Sequence, residues 1–210
     1  MPDLSLPALV ATGLREIPLP ASPATAESLA ELAELVFRWG KRLNLTGHRS
    51  SEAIVRRLVL DAAALLQALP RFVSVADLGA GAGFPGLPFA ILRPESRVFL
   101  VEARERRHHF QRQAIRELGL ENVSAVRGRF EEVEPTPCDL VVAQAVSAPR
   151  ELVAEMCRWA TPGATLAVPG GSLARSAGPQ PHLASSTSVS YQLPLGGPER
   201  TIWVARVPFS

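Results

Sequence analysis

The sequence predicts an α/β protein: a mostly parallel sheet of seven strands, closed by an antiparallel C-terminal hairpin and preceded by a small helical lobe. Three observations carry this. From Arg71 onward, short apolar runs alternate with helical patterns, as expected of βαβ units with helices on both faces of a parallel sheet. Residues 189–195 and 200–207 flank Gly196-Gly197-Pro198-Glu199 and read as a hairpin. Ahead of Arg71, apolar residues recur at helical rather than alternating spacing. The 210 residues suffice for one such core with a helical extension. The boundary is expected at 70/71, with residues 1–70 a Pro/Ala-rich lead and helical lobe and 71–210 the sheet-containing domain.

Taken in order, Pro18, Pro20 and Pro23 keep residues 1–25 from forming a single helix. A helix is predicted to begin at Thr25, whose hydroxyl can cap it, with Leu29, Leu32, Val36, Trp39 and Leu43 on its apolar side. Asn44-Leu45-Thr46-Gly47 forms its exit. A second helix spans 51–69 and is stopped by Pro70; both helices are expected to have a polar face. The first strand, 72–78, runs into Gly79-Ala80-Gly81-Ala82-Gly83-Phe84-Pro85-Gly86 and a short helix. A strand at 97–102, a helix at 104–118 stopped by Gly119, and strands at 123–127 and 139–144 follow. A helix at 149–160, a turn at Pro162-Gly163 and a strand at 165–168 come next, and 170–187 reads as a loop.

Composition narrows the function classes. Hydrophobic residues are 47% and charged residues 20%, which excludes wholesale disorder. No apolar run approaches the ~18 residues of a membrane span, and the start lacks the basic segment of a signal peptide. Cys138 and Cys157 read as reduced structural thiols, so a cytoplasmic protein without membrane partners is expected. The net charge of +2 hides an uneven distribution. Residues 1–36 carry five acids and one base, whereas 37–58 carry six bases against Glu52 alone. A second basic stretch runs from Arg104 to Arg129, and Lys41 is the only lysine among 22 bases.

The chemistry is concentrated at Asp77-Leu78-Gly79-Ala80-Gly81-Ala82-Gly83. Glycines at alternate positions leaving a strand let a ligand approach the backbone without a Cβ in the way. Glu102 ends the next strand, where a carboxylate can accept hydrogen bonds from both hydroxyls of a ribose. Gly81 to Gly86 also matches the dinucleotide pattern G-x-G-x-x-G. A dinucleotide, however, would bring its pyrophosphate against Asp77. S-adenosylmethionine carries a cationic sulfonium and amino group, which an aspartate suits, and it is the cofactor this reading favours. In the loop Gly128-Arg129-Phe130-Glu131, Phe130 can lie on an adenine ring and Glu131 can accept from its amino group; a plain helix start explains the same residues equally well. No Asn/Asp-Pro-Pro-Tyr/Phe segment follows the fourth strand, and neither cysteine has the context of a C5-cytosine nucleophile. His108-His109, on the arginine-rich helix, is expected to face solvent or RNA.

Together these segments resemble the RsmG (GidB) family, bacterial methyltransferases that modify guanine N7 in small-subunit (16S) ribosomal RNA. The resemblance rests on Arg42-Leu43-Asn44-Leu45-Thr46, Leu60-Asp61, the run from Asp77 through Gly86-Leu87-Pro88, Leu118-Gly119-Leu120-Glu121-Asn122-Val123, and Gly128-Arg129-Phe130-Glu131. It implies a Class I methyltransferase (Rossmann-like) fold and an S-adenosylmethionine pocket that includes Asp77, Gly79, Gly81, Gly83, Phe84, Glu102, Phe130 and Glu131. Lys41, Arg42, Arg49, Arg104, Arg106 and Arg107 are the candidates for phosphate contacts with 16S rRNA or the small ribosomal subunit. Guanine N7 has a free lone pair at neutral pH, so no catalytic acid–base pair is named, and no metal. The chain departs from the family pattern at Gln144, Pro169 and Leu58, where an arginine, a lysine and a histidine are usual. Two alternative functions follow from those losses: a non-methylating relative that binds cofactor or rRNA as an assembly factor, and a methyltransferase acting on a small molecule.

Overall fold

The computed structural model describes residues 4–143, 149–170 and 183–209. The lead contains a helix, α1 (Leu6–Leu14). Ser5 caps it by accepting from the Ala8 amide, and Pro7 sits in the first turn, where a missing N–H costs nothing. Helix α2 (Pro23–Leu43) starts two residues before the predicted Thr25. Ser22 is the cap: its hydroxyl accepts from the Thr25 amide at 3.1 Å, and the Thr25 hydroxyl accepts from the Ser22 amide at 3.3 Å. Thr25 therefore completes a reciprocal cap and does not begin the helix. Asn44 ends α2 in the left-handed conformation at φ 50°.

The second predicted helix is interrupted. Helix α3 (Ser51–Ile54) passes through a π-helical turn (Val55–Val59) into α4 (Leu60–Ala68). The expected polar side is present at Glu52, Arg56, Arg57 and Gln67 but is interrupted in α4, where Leu60 and the whole run from Ala62 to Leu66 are buried. The reason is close packing by α1, whose Gly13 lies so near the Leu60 side chain that a Cβ there would collide with it.

The sheet comprises β1 (Ser74–Leu78), β2 (Arg97–Glu102), β3 (Val123–Arg127), β4 (Cys138–Ala143), β5 (Ala160–Pro169), β6 (Ser185–Gln192) and β7 (Glu199–Arg206). Its order is β3-β2-β1-β4-β5-β7-β6, with β1 to β5 parallel and β7 antiparallel to both neighbours. Strand β5 begins earlier than predicted. Cys138 pairs with Ala160 and Leu140 with Thr165, so Pro162-Gly163 lies in an irregularity within the strand instead of in a turn before it. Strand β6 takes residues 185–187 from the predicted loop and begins four residues before the predicted 189; on a sheet edge these Ser and Thr residues stay exposed and show no apolar alternation. Of that loop, 171–182 lies outside the described residues, as do Gln144 and its neighbours to Ala148.

Helices α5 (Gly86–Leu92), α6 (Glu105–Glu117) and α7 (Pro149–Arg158) complete the fold. One apolar cluster joins α1, α2 and α4 to α5, α6 and one face of the sheet, including Val75, Leu100 and Ile202. The other face packs Met156 and Trp159 against Ala76, Val141 and Leu166. Two polar side chains tie loops to the sheet. Asp139 accepts from the Val73 and Ser74 amides at 2.7 and 2.6 Å, and the Asn122 amide nitrogen donates to the carbonyls of Ala90, Arg93 and Ser96.

Candidate functional site

Numbering along the sheet runs outward from β1 through β2 to β3, then jumps back to β4 on the other side of β1. Such a reversal leaves a crevice beyond the carboxyl ends of the strands, where open α/β sheets bind ligands. The glycine segment sits there. The Gly79 and Ala80 amides both donate to the Val101 carbonyl, at 2.9 and 3.0 Å, which folds the chain over the end of β2. Gly79 has φ +76°, is exposed, and has open space where a Cβ would point. Gly83 is different: its Cβ would collide with the Leu87 side chain, so it serves the packing of α5. Sequence alone treats these glycines as equivalent; the structure divides them into one facing the crevice and one facing the core.

Asp77 lies beneath this turn, 1% exposed. Its Oδ2 accepts from the Gly86 amide at 2.9 Å, while Oδ1 is buried without a partner. Burial pushes its pKa up to about 7; the Gly86 amide opposes the rise and the Glu102 charge adds to it. The group read from the sequence as an anion at the mouth of the turn is thus a buried carboxyl poised between its two states. Glu102, 5% exposed, closes the other side. Its Oε2 accepts from the Gly81 amide at 3.0 Å and its Oε1 from the Arg104 amide at 2.7 Å. Each oxygen keeps a second lone pair for a ligand hydroxyl. The Gly128 amide donates to the Glu102 carbonyl at 3.1 Å, so the loop bearing Phe130 and Glu131 departs directly beside it. Phe130 is half-buried against the second apolar cluster and Glu131 is exposed. Phe84 is buried and lines a separate pocket with Asp61 and Tyr191.

The basic residues do not share one environment. Arg107 leans over the turn, with its guanidinium 3.9 Å from Glu102 Oε2. Arg104 and Arg106 are exposed. Arg106 lines a cleft of about 390 Å³ between α2 and α6, together with Trp39, Leu43 and Arg116. Arg42 and Arg49 are exposed near the end of α2, and Lys41 lies in its last turn, with its side chain outside the described part. His109 is exposed as expected. His108 is not: it is 8% exposed and its Nε2 lies 3.4 Å from the Ala125 carbonyl, with burial lowering its pKa. His108 shares the inner side of α6 with Gln111, three residues on, and with Ala114, three further, all of them buried, while Arg112 is exposed. Cys138 is buried as a structural thiol, its pKa pushed up to about 11 by burial.

Three contributors escaped sequence reasoning. Gln111 is fully buried and donates to the Gly81 carbonyl at 2.9 Å, holding the turn from below. On an arginine-rich helix that also carries Gln113, nothing in the sequence marks Gln111 as the buried amide. Tyr191 and Asp61, hydrogen-bonded at 2.8 Å, meet beside Phe84 from opposite ends of the chain, and no local pattern reports such a pairing.

A family model described as GidB, rRNA small subunit methyltransferase G, matches residues 25–188. The ribosomal RNA small subunit methyltransferase G of Azoarcus sp. (strain BH72) is 37% identical over 145 residues, covering 69% of this chain and 68% of that protein. The protein of the same name from Xanthomonas campestris pv. campestris (strain 8004) is 38% identical over 184 residues, covering 86% and 80%. Among solved structures, the O-methyltransferase from Bacillus cereus in complex with SAH has a TM-score of 0.60 at 15% identity, covering 92% of this chain and 94% of that one. A SAM-dependent methyltransferase from Aquifex aeolicus has a TM-score of 0.55 at 17% identity, covering 74% and 93%. These structures share the fold. The chain belongs to the GidB family of small-subunit rRNA methyltransferases.

Proposed function

We propose that this member of the family transfers a methyl group from S-adenosylmethionine to guanine N7 of 16S rRNA in the small ribosomal subunit, in the cytoplasm. The observation that carries the cofactor assignment is the unpartnered, buried Asp77 Oδ1 beneath an open glycine turn, with Glu102 across from it. A cation in the crevice above it favours the ionised form of that buried carboxyl through space, whereas a pyrophosphate adds charge of the same sign. The donor set therefore fits S-adenosylmethionine, which supplies an electrophilic methyl carbon when bound.

The chain's own residues then bind and orient. Glu102 accepts from the ribose hydroxyls with its free lone pairs, and Asp77 favours the positive charge electrostatically. Gly79 and Gly81 let the ligand lie against the backbone, Gly83 and Phe84 shape the turn, and Phe130 and Glu131 take the adenine ring and its amino group. Because N7 needs no deprotonation, catalysis is alignment of the nucleophile in a site poor in competing water. The target base must leave its stack or come from an open loop. Arg42, Arg49, Arg104, Arg106 and Arg107, with Lys41, contact RNA phosphates and set its register.

The test is incubation with labelled S-adenosylmethionine and small subunits from cells lacking the modification, followed by mapping 7-methylguanine by chemical cleavage. One labelled guanine in the 16S rRNA is expected. Cofactor binding without transfer to RNA, or label recovered only in small molecules, overturns the reading.

A further inference from the structure

Beside the glycine turn, a pocket opens between the helical lobe and the far end of the sheet. Arg57, Asp61, Phe84, Pro85, Pro169 and Tyr191 line it. Phe84 and Pro85 belong to the segment leaving β1, and Pro169 ends β5. The pocket therefore lies at the carboxyl edge of the sheet, adjacent to the proposed cofactor crevice. Among the described residues, Asp61 is its only carboxylate. The side chain is 23% exposed, with Oδ1 accepting from the Tyr191 hydroxyl at 2.8 Å and the Arg200 guanidinium 3.8 Å from Oδ2. Tyr191 is itself 9% exposed. Asp61 is thus held in one orientation, yet Oδ2 has no hydrogen bond at ordinary length and Oδ1 has a lone pair to spare. The π-helical turn Val55–Val59 lies immediately before it and brings Arg57 to the same pocket. Single π turns within α-helices concentrate at functional sites because they re-aim side chains at the cost of a regular hydrogen bond.

Resting on the methyl-transfer reading, we propose that Asp61 determines base specificity: its carboxylate accepts the N1–H and N2-amino hydrogens of the target guanine. A carboxylate has acceptors only, and that edge of guanine presents two adjacent donors. Adenine presents an unprotonated N1 there, which would face the carboxylate lone pair to lone pair. N7 lies across the ring system from the N2 amino group, so a guanine gripped at Asp61 turns N7 away from it, toward the glycine turn. Tyr191 is the positioning residue. It holds the carboxylate without touching the base, and Arg57, exposed at the rim, is placed for the phosphate of the same nucleotide.

The test uses the full chain and small subunits reconstituted with either guanosine or inosine at the nucleotide the wild-type protein modifies. Inosine keeps N1–H, O6 and N7 and lacks only the amino group. The wild type is expected to lose about tenfold or more in kcat/KM on inosine, the effect of one unmade hydrogen bond to a charged group. Asp61→Asn is expected to lose about a hundredfold on guanosine and to treat the two substrates within about twofold of each other, while its calorimetric affinity for S-adenosylhomocysteine stays within about twofold. Tyr191→Phe keeps the carboxylate and is expected to keep the discrimination at a lower kcat. Equal transfer to guanosine and inosine by the wild type overturns the proposal, and this comparison stands even if Asp61→Asn fails to fold. Discrimination that survives in Asp61→Asn overturns it as well. Failure of the underlying reading looks different: no methyl then reaches guanosine subunits from the wild-type chain at all, and the Asp61 assignment falls with it.

Discussion

Asp77 links folding to ligand binding through one proton. Its carboxyl is held protonated up to about pH 7 by burial, against 3.8 for the ordinary side chain. Between those values the folded chain binds a proton that the unfolded chain has released, so this group's contribution to stability falls as pH rises through the window and levels off above it. Asp77→Asn, which can still accept from the Gly86 amide, is expected to remove that slope; urea unfolding of both proteins from pH 4.5 to 8 checks it, and parallel curves would show that Asp77 titrates normally. In the proposed cofactor site, the same buried oxygen favours a sulfonium. Glu102 acts differently, since its two oxygens already order the Gly81 and Arg104 amides. Glu102→Gln replaces one acceptor by a donor and is expected to weaken S-adenosylhomocysteine binding by about 1–3 kcal/mol, read by calorimetry. At this scale the glycine turn, Asp77 and Glu102 were legible in the sequence because strand ends and φ-permissive residues are local signals. The role of Gly83 was not, because only the packed Leu87 shows which side of that glycine is full.

Among the elements, caps and breaks decide where helices sit. The Ser22 and Thr25 hydroxyls satisfy each other's backbone amides at the start of α2. Ser22→Ala is expected to cost about 1 kcal/mol in urea unfolding, and an unchanged midpoint would mean that Thr25 alone suffices. Strands β2 and β3 fell at their predicted limits because parallel strands between helices have sharp polar borders. The edge strand β6 did not, because its Ser and Thr residues carry no apolar alternation and its backbone is recruited by β7. Pro18, Pro20 and Pro23 do keep the lead from being one helix, but α1 ahead of them is not marked by any of the three, and Pro7 is harmless in its first turn. The π turn left no mark in the sequence either. Its pattern is that of an ordinary helix.

At the scale of the whole molecule, exposed Arg104 and Arg106 follow directly on the carboxyl end of β2, and exposed Arg42 and Arg49 lie near the end of α2, in a chain of net charge only +2. Binding to small subunits is expected to weaken with salt, and replacing Arg42, Arg104 and Arg106 together by Gln should reduce the slope of log affinity against log salt by about 1 per residue lost. An unchanged slope in a filter-binding titration would place the phosphate contacts elsewhere. Period, turn chemistry and the glycine motif determined the α/β class, the order of the parallel strands along the chain and the glycine turn at the proposed cofactor crevice, since each depends on residues within a few positions of one another. The tertiary structure alone decided the protonation of Asp77, the burial of His108 and Gln111, and the meeting of Asp61 with Tyr191 across 130 residues of chain. Desolvation and long-range pairing are properties of what surrounds a side chain in space, and that neighbourhood exists only after the chain has packed.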